Sequence, residues 1–482
     1  MNAPLRRVAI SVLVLFTLLI INVNYIQVVR SDELRNDAGN TRVLAEEYDR
    51  ERGSIVVAGD PIALSKATDD RLTYLRQYPQ GGLYAAVTGY YSLVYGNTAM
   101  ERAENEVLAG SDPRLFVRRL ADLFTGRDPS GGDVVLTLDP AVQKAAMDDL
   151  DGKVGAVVAL DPSTGAVLGL ASTPTYDPNV LSSHEPQKIR AYAEQLGAGK
   201  PDPRSNQAIG ERYAPGSVFK VIVSAAALED GYTPESMLKA PNVLDLPGTD
   251  VTLKNFGGEK CNGGADQSLI DALTVSCNTA FAQLGMDLGE DKVRAMAEAF
   301  GMDDEKMEIP LPVTGSGVGD IDGKAALAQS SIGQLDVAMT PLQAAMVAAA
   351  VANDGSLMKP YLVDQVRAPD LTVIDRTDPE QFKEPISADI ANQLTTMMIS
   401  VVEKGSGKAA RLPGVQVAGK TGTAQVGGDV PDHNWFIGFA PADDPKIAVA
   451  VFVKNGGGTG GGVAAPIAHD VLQAYLQGQG NR

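Results

Sequence analysis

Two pairs of apolar runs, far apart in the chain, constrain its fold more than any other feature. Val154–Leu160 and Ala166–Ala171 flank Asp161-Pro162-Ser163-Thr164-Gly165, and that string of turn formers predicts a β-hairpin. Trp435–Ala440 and Ile447–Val453 flank Pro441-Ala442-Asp443-Asp444-Pro445 in the same way. Val415–Val426 adds a fifth strand, whose small residues suit an edge with another backbone lying alongside. Helical segments lie between the two pairs, among them the Ala-rich stretch Val218–Leu228, which ends near Gly231. The expectation is an α/β (α+β) domain: an antiparallel five-stranded sheet flanked by helices, with strands from both ends of one region and a helical insert between them. That arrangement sets Ser217, at a helix terminus, beside the strand that carries Lys420.

Three short polar strings fall on this frame: Ser217-Val218-Phe219-Lys220, Ser276-Cys277-Asn278 and Lys420-Thr421-Gly422-Thr423. S-x-x-K also occurs at Ser236/Lys239 and Ser356/Lys359, so that string alone is weak. A lysine that takes a serine's proton must lie one helical turn on, where Cβ atoms are roughly 5–6 Å apart. Lys359 precedes Pro360, which disfavours helix at the lysine. Pro241 cuts the segment after Ser236 to little more than a turn. Ser217 follows the break Pro215-Gly216 and opens the long helix, although an ordinary N-cap serine reads the same way. Ser276-Cys277-Asn278 lies between the apolar stretches Leu269–Val275 and Ala280–Leu284. A hydroxyl relaying protons and an amide holding a peptide backbone would suit that loop, as would a plain capping serine and turn asparagine.

Residues 414–421 also match the phosphate-loop pattern G-x-x-x-x-G-K-[ST] letter for letter. Such a loop needs a buried strand before it and a helix starting at the lysine. Here Lys404-Gly405-Ser406-Gly407-Lys408 and Leu412-Pro413 precede it, and Gly422, Gly427 and Gly428 follow. The strand reading is preferred.

As an ordered set, the three strings are those of penicillin-binding proteins and serine β-lactamases. Further strings are Arg52-Gly53-Ser54-Ile55, Asn206-Gln207-Ala208, Tyr213-Ala214-Pro215-Gly216, Ser331-Ile332-Gly333-Gln334 and Thr340-Pro341-Leu342-Gln343. With them the chain resembles, nearly end to end, the class B penicillin-binding proteins, and among those the short actinobacterial penicillin-binding protein A type. The resemblance implies a peptidoglycan D,D-transpeptidase that cross-links stem peptides in cell-wall synthesis and division and is acylated by β-lactams. It implies Ser217 as nucleophile, Lys220 as base, Ser276 as relay to the departing D-alanine, and Asn278 orienting Lys220 and the substrate amide. Lys420, Thr421 and Thr423 would bind the terminal carboxylate in the Lys420-Thr421-Gly422-Thr423 string, with the backbone N–H groups of Ser217 and Thr423 as oxyanion hole. A lysine base must drop roughly 3 units from about 10.4, and burial beside a second cation pushes that way. No cofactor and no metal are expected, and His184, His433 and His469 form no metal or triad spacing.

Arg6-Arg7 followed by apolar residues 8–29 reads as an uncleaved single-pass membrane anchor, since no small-x-small cleavage site follows it. Residues 1–7 would then be cytoplasmic, 30–132 a non-catalytic pedestal and 133–482 an extracytoplasmic transpeptidase domain. Gly456–Gly462 reads as a flexible loop before a last helix over Ala465–Leu476. A net charge of −19 argues against nucleic acid. Cys261 and Cys277 are the only cysteines. In an oxidising compartment they would pair, closing a loop worth roughly 3 kcal/mol, the alternative being two buried thiols. Family analogy points to a polytopic glycosyltransferase as partner. The rival readings are a D,D-carboxypeptidase, a serine β-lactamase and a non-catalytic scaffold or β-lactam sensor. Against the lactamase, no E-x-x-L-N string follows Ser276, and Tyr95-Gly96-Asn97 lies on the wrong side of Ser217. A sensor would need more cytoplasmic chain than Met1–Arg7.

Overall fold

The computed structural model describes residues 2–30, 34, 48–70, 72–115, 130–302 and 307–480. Its N-terminal helix, Asn2–Asn24, continues into a π-helical turn, Tyr25–Val29. Arg6–Val29 is long and apolar enough to cross a membrane, with mean hydropathy 2.3 and no part of it buried. Three polar residues in the helix are satisfied within it. Ser11 Oγ donates to Arg7 O (3.0 Å), Thr17 Oγ1 to Leu13 O (2.9 Å) and Asn24 Nδ2 to Ile20 O (2.8 Å). Internal satisfaction of this kind is what a hydrocarbon surround demands.

The five expected strands form one sheet: β1 (Gly155–Leu160), β2 (Val167–Thr173), β3 (Ala418–Ala424), β4 (His433–Ala440) and β5 (Ile447–Val453). Its order is β3-β4-β5-β1-β2 with every neighbour antiparallel. All residues of β1, β2, β4 and β5 are buried, which explains why they read as unbroken apolar runs rather than alternating ones. Alternate residues serve two cores. Ala156, Val158, Trp435, Ile437, Ala450 and Phe452 join the core of the helical insert. Val157, Ala159, Phe436, Val449 and Val451 join the core beneath α1 (Pro140–Asp149) and the C-terminal helix. The insert supplies α2 (Lys220–Glu229), α3 (Leu269–Val275), α4 (Asn278–Leu288), α5 (Pro341–Ala352) and α6 (Ala388–Glu403).

Two expectations change. The strand expected over Val415–Val426 begins only at Ala418, because Leu412 and Val415 bridge a turn through Gly414 (φ +74°). Lys420 therefore sits inside a strand, not at a helix start, and the phosphate-loop reading fails. The glycine patch is not simply a flexible loop either. The last helix, α7, runs Gly460–Gly480 with Pro466 inside it. A Cβ at Gly460 would lie 2.2 Å from Gly422 O and 2.5 Å from Trp435 O, and one at Gly461 would lie 2.3 Å from Ser406 O. These glycines let a helix end seat directly on backbone, a role that composition alone does not reveal.

A second sheet, in the region expected to form the pedestal, has six strands among the described residues, in the order Val373–Arg376, Val363–Arg367, Asp133–Leu136, Ile55–Val57, Asp60–Ala67, Tyr74–Gln77. It draws strands from both sides of residue 132, with Asp133–Leu136 pairing parallel to Ile55–Val57 and antiparallel to Val363–Arg367. Arg52-Gly53 has a structural reason here. Gly53 meets Gly132 so closely that a Cβ would lie 1.9 Å from its carbonyl oxygen. Arg52 Nε donates to Glu101 Oε2 (2.7 Å) and Arg76 Nε to Glu101 Oε1 (2.6 Å). Burial pushes the Glu101 carboxyl up, but Arg76 and Arg52 outweigh it and hold it below the usual range. Removing the anion would take from two buried cations the carboxylate they share. Glu101→Gln is therefore expected to cost roughly 3–5 kcal/mol, read as a lower urea midpoint. An unchanged midpoint would mean that the triad adds nothing to folding.

Candidate active site

Ser217 lies in a 3-10 turn, Gly216–Phe219, and the α-helix starts only at Lys220. In a 3-10 turn residues three apart eclipse, which stacks Ser217 and Lys220 more directly than the α-helical start expected from sequence. Gly216 has φ +53°, and a Cβ there would lie 2.6 Å from Thr423 O. Gly333 and Gly422 make the same kind of contact, at 2.0 Å from Gly216 O and 2.7 Å from Pro215 O respectively. Gly216 N also donates to Gly333 O (2.9 Å). The Ser217 turn is thus wedged between β3 and the Ser331–Gln334 turn by three glycines. Trp435, wholly buried on β4, fixes its other side by donating Nε1–H to Ala214 O (3.0 Å). The rival serines lack a comparable setting. Lys239 is exposed, and Lys359 is 52 % exposed and pairs with Glu380.

Lys220 is 0 % exposed. Its Nζ donates to Ser276 O (2.8 Å) and Asn278 Oδ1 (2.8 Å), with Ser276 Oγ at 3.4 Å. The Phe281 ring stands 5.4 Å away. Burial, helped by the charge of Lys420, pushes the Lys220 ammonium well below its ordinary value. A neutral amine has two N–H donors and one lone pair. With both donors spent on Ser276 O and Asn278 Oδ1, the lone pair is left for a hydroxyl proton. Ser217 Oγ makes no hydrogen bond to a described residue and is only half-buried, so it is open to a substrate.

Ser276 caps α3 at φ +63°, an uncommon conformation for a non-glycine residue and one that aims its side chain back into the site. Ser276 Oγ accepts from Lys420 Nζ (2.8 Å), which also donates to Thr421 O (2.9 Å). A continuous polar chain therefore runs Asn278–Lys220–Ser276–Lys420 through a buried space. Burial brings Lys420 down to about 7. Its folded value lies below its unfolded one, so the unfolded chain holds the extra proton and Lys420 opposes folding. That penalty is full below about 7 and fades as pH rises to the ordinary value of 10.5. Lys420→Met is expected to stabilise the fold by ~2 kcal/mol at pH 7, after two lost hydrogen bonds are discounted. The gain should reach zero at about pH 9 and become a loss near pH 10.5, where only the lost hydrogen bonds count. Urea titrations at pH 7 and pH 10.5 check this, and equal gains at the two would contradict it.

Thr421 and Thr423 face away from Lys420, because strand side chains alternate. Thr421 Oγ1 lies 2.5 Å from Ser406 Oγ, and Thr423 Oγ1 accepts from Gly460 N (3.1 Å). Among the described residues β3 pairs only with β4, so its outer edge is open to a peptide added as a further strand. Cys261 and Cys277 are joined by a disulfide with Cα atoms 5.9 Å apart. Ser217, Lys220, Ser276, Asn278, Lys420 and Gly422 thus converge, with Thr421 and Thr423 on the opposite face of the same strand. Sequence reading missed Trp435, Ser406 and Asn255 and gave Gly333 no role, since each acts through contacts distant in sequence. A hollow of about 410 Å3 lies elsewhere, between the pedestal strands and Lys359–Val363, and none of these residues lines it.

This architecture is that of the penicillin-binding protein transpeptidases, and the chain belongs to that family. The penicillin binding protein transpeptidase domain matches residues 155–473. The penicillin binding protein A dimerisation domain matches residues 52–134. The chain is 50 % identical to the peptidoglycan D,D-transpeptidase PbpA of Mycolicibacterium smegmatis, covering 99 % of both chains. It is 48 % identical to PbpA of Mycobacterium tuberculosis, over 99 % of this chain and 100 % of that one. The structure resembles penicillin-binding protein A of M. tuberculosis as its imipenem acyl-enzyme, with TM-score 0.87 and 48 % identity over 90 % of this chain and 100 % of that one. For the penicillin G acyl-enzyme the TM-score is 0.86 at 49 % identity, over 89 % and 100 %.

Proposed function

We propose that this chain is a peptidoglycan D,D-transpeptidase that works through an acyl-enzyme on Ser217. The neutral Lys220 amine takes the Ser217 hydroxyl proton as Oγ bonds to the carbonyl carbon of the penultimate D-alanine. The tetrahedral oxyanion rests on the N–H groups of Ser217 and Thr423, each worth on the order of 3 kcal/mol. The C–N bond then breaks, and Ser276 relays the proton from Lys220 to the departing D-alanine amine. An amine from a neighbouring stem peptide attacks the ester, the C–O bond breaks, and a proton returns to Ser217 Oγ. Water in that step would make the product a hydrolysed stem peptide. A β-lactam enters the same way, but its leaving nitrogen stays tethered and the ester persists. Lys420 supplies the positive charge that attracts the terminal carboxylate, and Thr421 and Thr423 give it hydroxyl donors reached along the outer edge of β3 rather than on the face that carries Lys420.

The observation that carries this reading is the buried Lys220, with both N–H donors spent on Ser276 O and Asn278 Oδ1. The test is incubation with uncross-linked peptidoglycan strands and mass spectrometry of the muropeptides. Cross-linked dimers with released D-alanine support the reading. D-alanine without dimers would make the chain a carboxypeptidase, and neither product would remove the proposal.

Residues 8–29 serve as the anchor in this reading, with 1–7 cytoplasmic, 30–132 a pedestal and 133–482 a transpeptidase domain outside the membrane. The disulfide suits that compartment. Glycan strands come from a separate polytopic glycosyltransferase bound through the anchor and pedestal, and failure of any such enzyme to co-purify would count against that partner.

A further inference from the structure

Asn255 lies on a loop outside the three strings, yet its side chain reaches into the site. Asn255 Oδ1 accepts from Asn278 N (2.7 Å) and from Thr279 N (3.1 Å). It therefore caps α4 from a position distant in sequence, on the residue whose own amide holds Lys220. Asn278 Nδ2 in turn reaches Lys254 O at 3.4 Å. The disulfide ties Cys261, beyond this loop, to Cys277, so loop and helix start are held at two points.

The choice of an amide at this position is informative. Asn255 is buried, and its Nδ2 has no hydrogen-bond partner among the described residues, an arrangement that costs stability. A carboxylate has the same shape, accepts the same two N–H bonds and has no N–H left to satisfy. It would also be favoured by the helix dipole. What a carboxylate adds is a negative charge on the residue hydrogen-bonded to Asn278, which itself hydrogen-bonds Lys220. We propose that Asn255 is a positioning residue that holds Asn278 against Lys220 while keeping the surroundings of the base free of negative charge.

The groups around Lys220 fit this role. Lys420 faces it from β3, while Ser276, Asn278 and Phe281 face it from α3 and α4 and carry no charge. No carboxylate is bonded to any of these side chains among the described residues. Lys254, Glu259 and Lys260, near Asn255 and the disulfide, are exposed to solvent. The Lys220 ammonium is already held well below its ordinary value by burial and then by Lys420. An anion at position 255 would work against both.

The inference rests on Lys220 being the base, and its test separates the two claims. The second-order rate of acylation by a fluorescent penicillin is measured from pH 5 to pH 10 for the wild type and three variants, with thermal melts as folding controls. If the folded wild type is not acylated, the functional reading itself fails. With wild-type acylation in hand, Asn255→Asp should keep the plateau within a few-fold but move the acid limb up by about one pH unit. Asn255→Ala should lower the plateau tenfold or more without moving the limb, and Asn255→Ser, which keeps a neutral acceptor, should recover much of it. An Asn255→Asp profile superimposable on the wild type would overturn the proposal. So would an Asn255→Ala plateau at wild-type level.

Discussion

Ser217→Ala removes covalent labelling by a fluorescent penicillin completely, whereas Ser236→Ala and Ser356→Ala label like the wild type. That is the expected result, and it follows from the surroundings of each serine. Only Ser217 lies over a lysine that is 0 % exposed. Lys239 is exposed, and Lys359 is 52 % exposed and engaged by Glu380. An ammonium in water keeps its proton at neutral pH and cannot act as a base. The loss should be absolute, because no second hydroxyl can form the same ester. The fold should survive, since Ser217 Oγ makes no hydrogen bond to a described residue. Labelling that persisted in Ser217→Ala would mean that another residue is the nucleophile.

Lys220→Met should lower the acylation rate by roughly 10²- to 10⁴-fold, the usual range for a positioned base. In the wild type the rate should rise with pH as Lys220 loses its proton, well below the ordinary lysine range. It should fall again as Lys420 loses its own near 7, because the carboxylate then meets a neutral amine. The two lysines share Ser276, so the limbs belong to the pair rather than to either residue alone. Stopped-flow acylation from pH 5 to pH 10 reads both limbs. A slow residual rate in Lys220→Met with the acid limb intact would assign that limb to another group.

The legible part of this molecule was the part with period and order. Four strands announced themselves as apolar runs, because a sheet covered on both faces has no polar face to alternate with. The order of the three strings, more than any one of them, led to Ser217, Lys220, Ser276, Asn278 and Lys420. What stayed hidden depends on contacts between distant residues. Gly460 and Gly461 looked like slack in composition, yet each is glycine because a carbonyl oxygen stands where a Cβ would go. Asn255 sits in an unremarkable polar stretch, and only the folded chain brings it to the start of α4. The pedestal boundary was blurred for a related reason, since its sheet borrows strands from Asp133–Leu136 and Val363–Arg376.

β5 is the centre of the main sheet and also the last of its five strands along the chain. During synthesis the β1–β2 hairpin is made early and must wait for Ile447–Val453 with an apolar edge unpaired, a state prone to mispairing. Closing the sheet joins residues of very different sequence position, which slows folding. The same delay has a protective side. Ser217 and Lys220 are made long before Lys420, so a partly made chain carries the proposed nucleophile without the strand proposed to line up its substrate. In the proposed mechanism the site is assembled only once β5, the middle strand of its sheet, has been made.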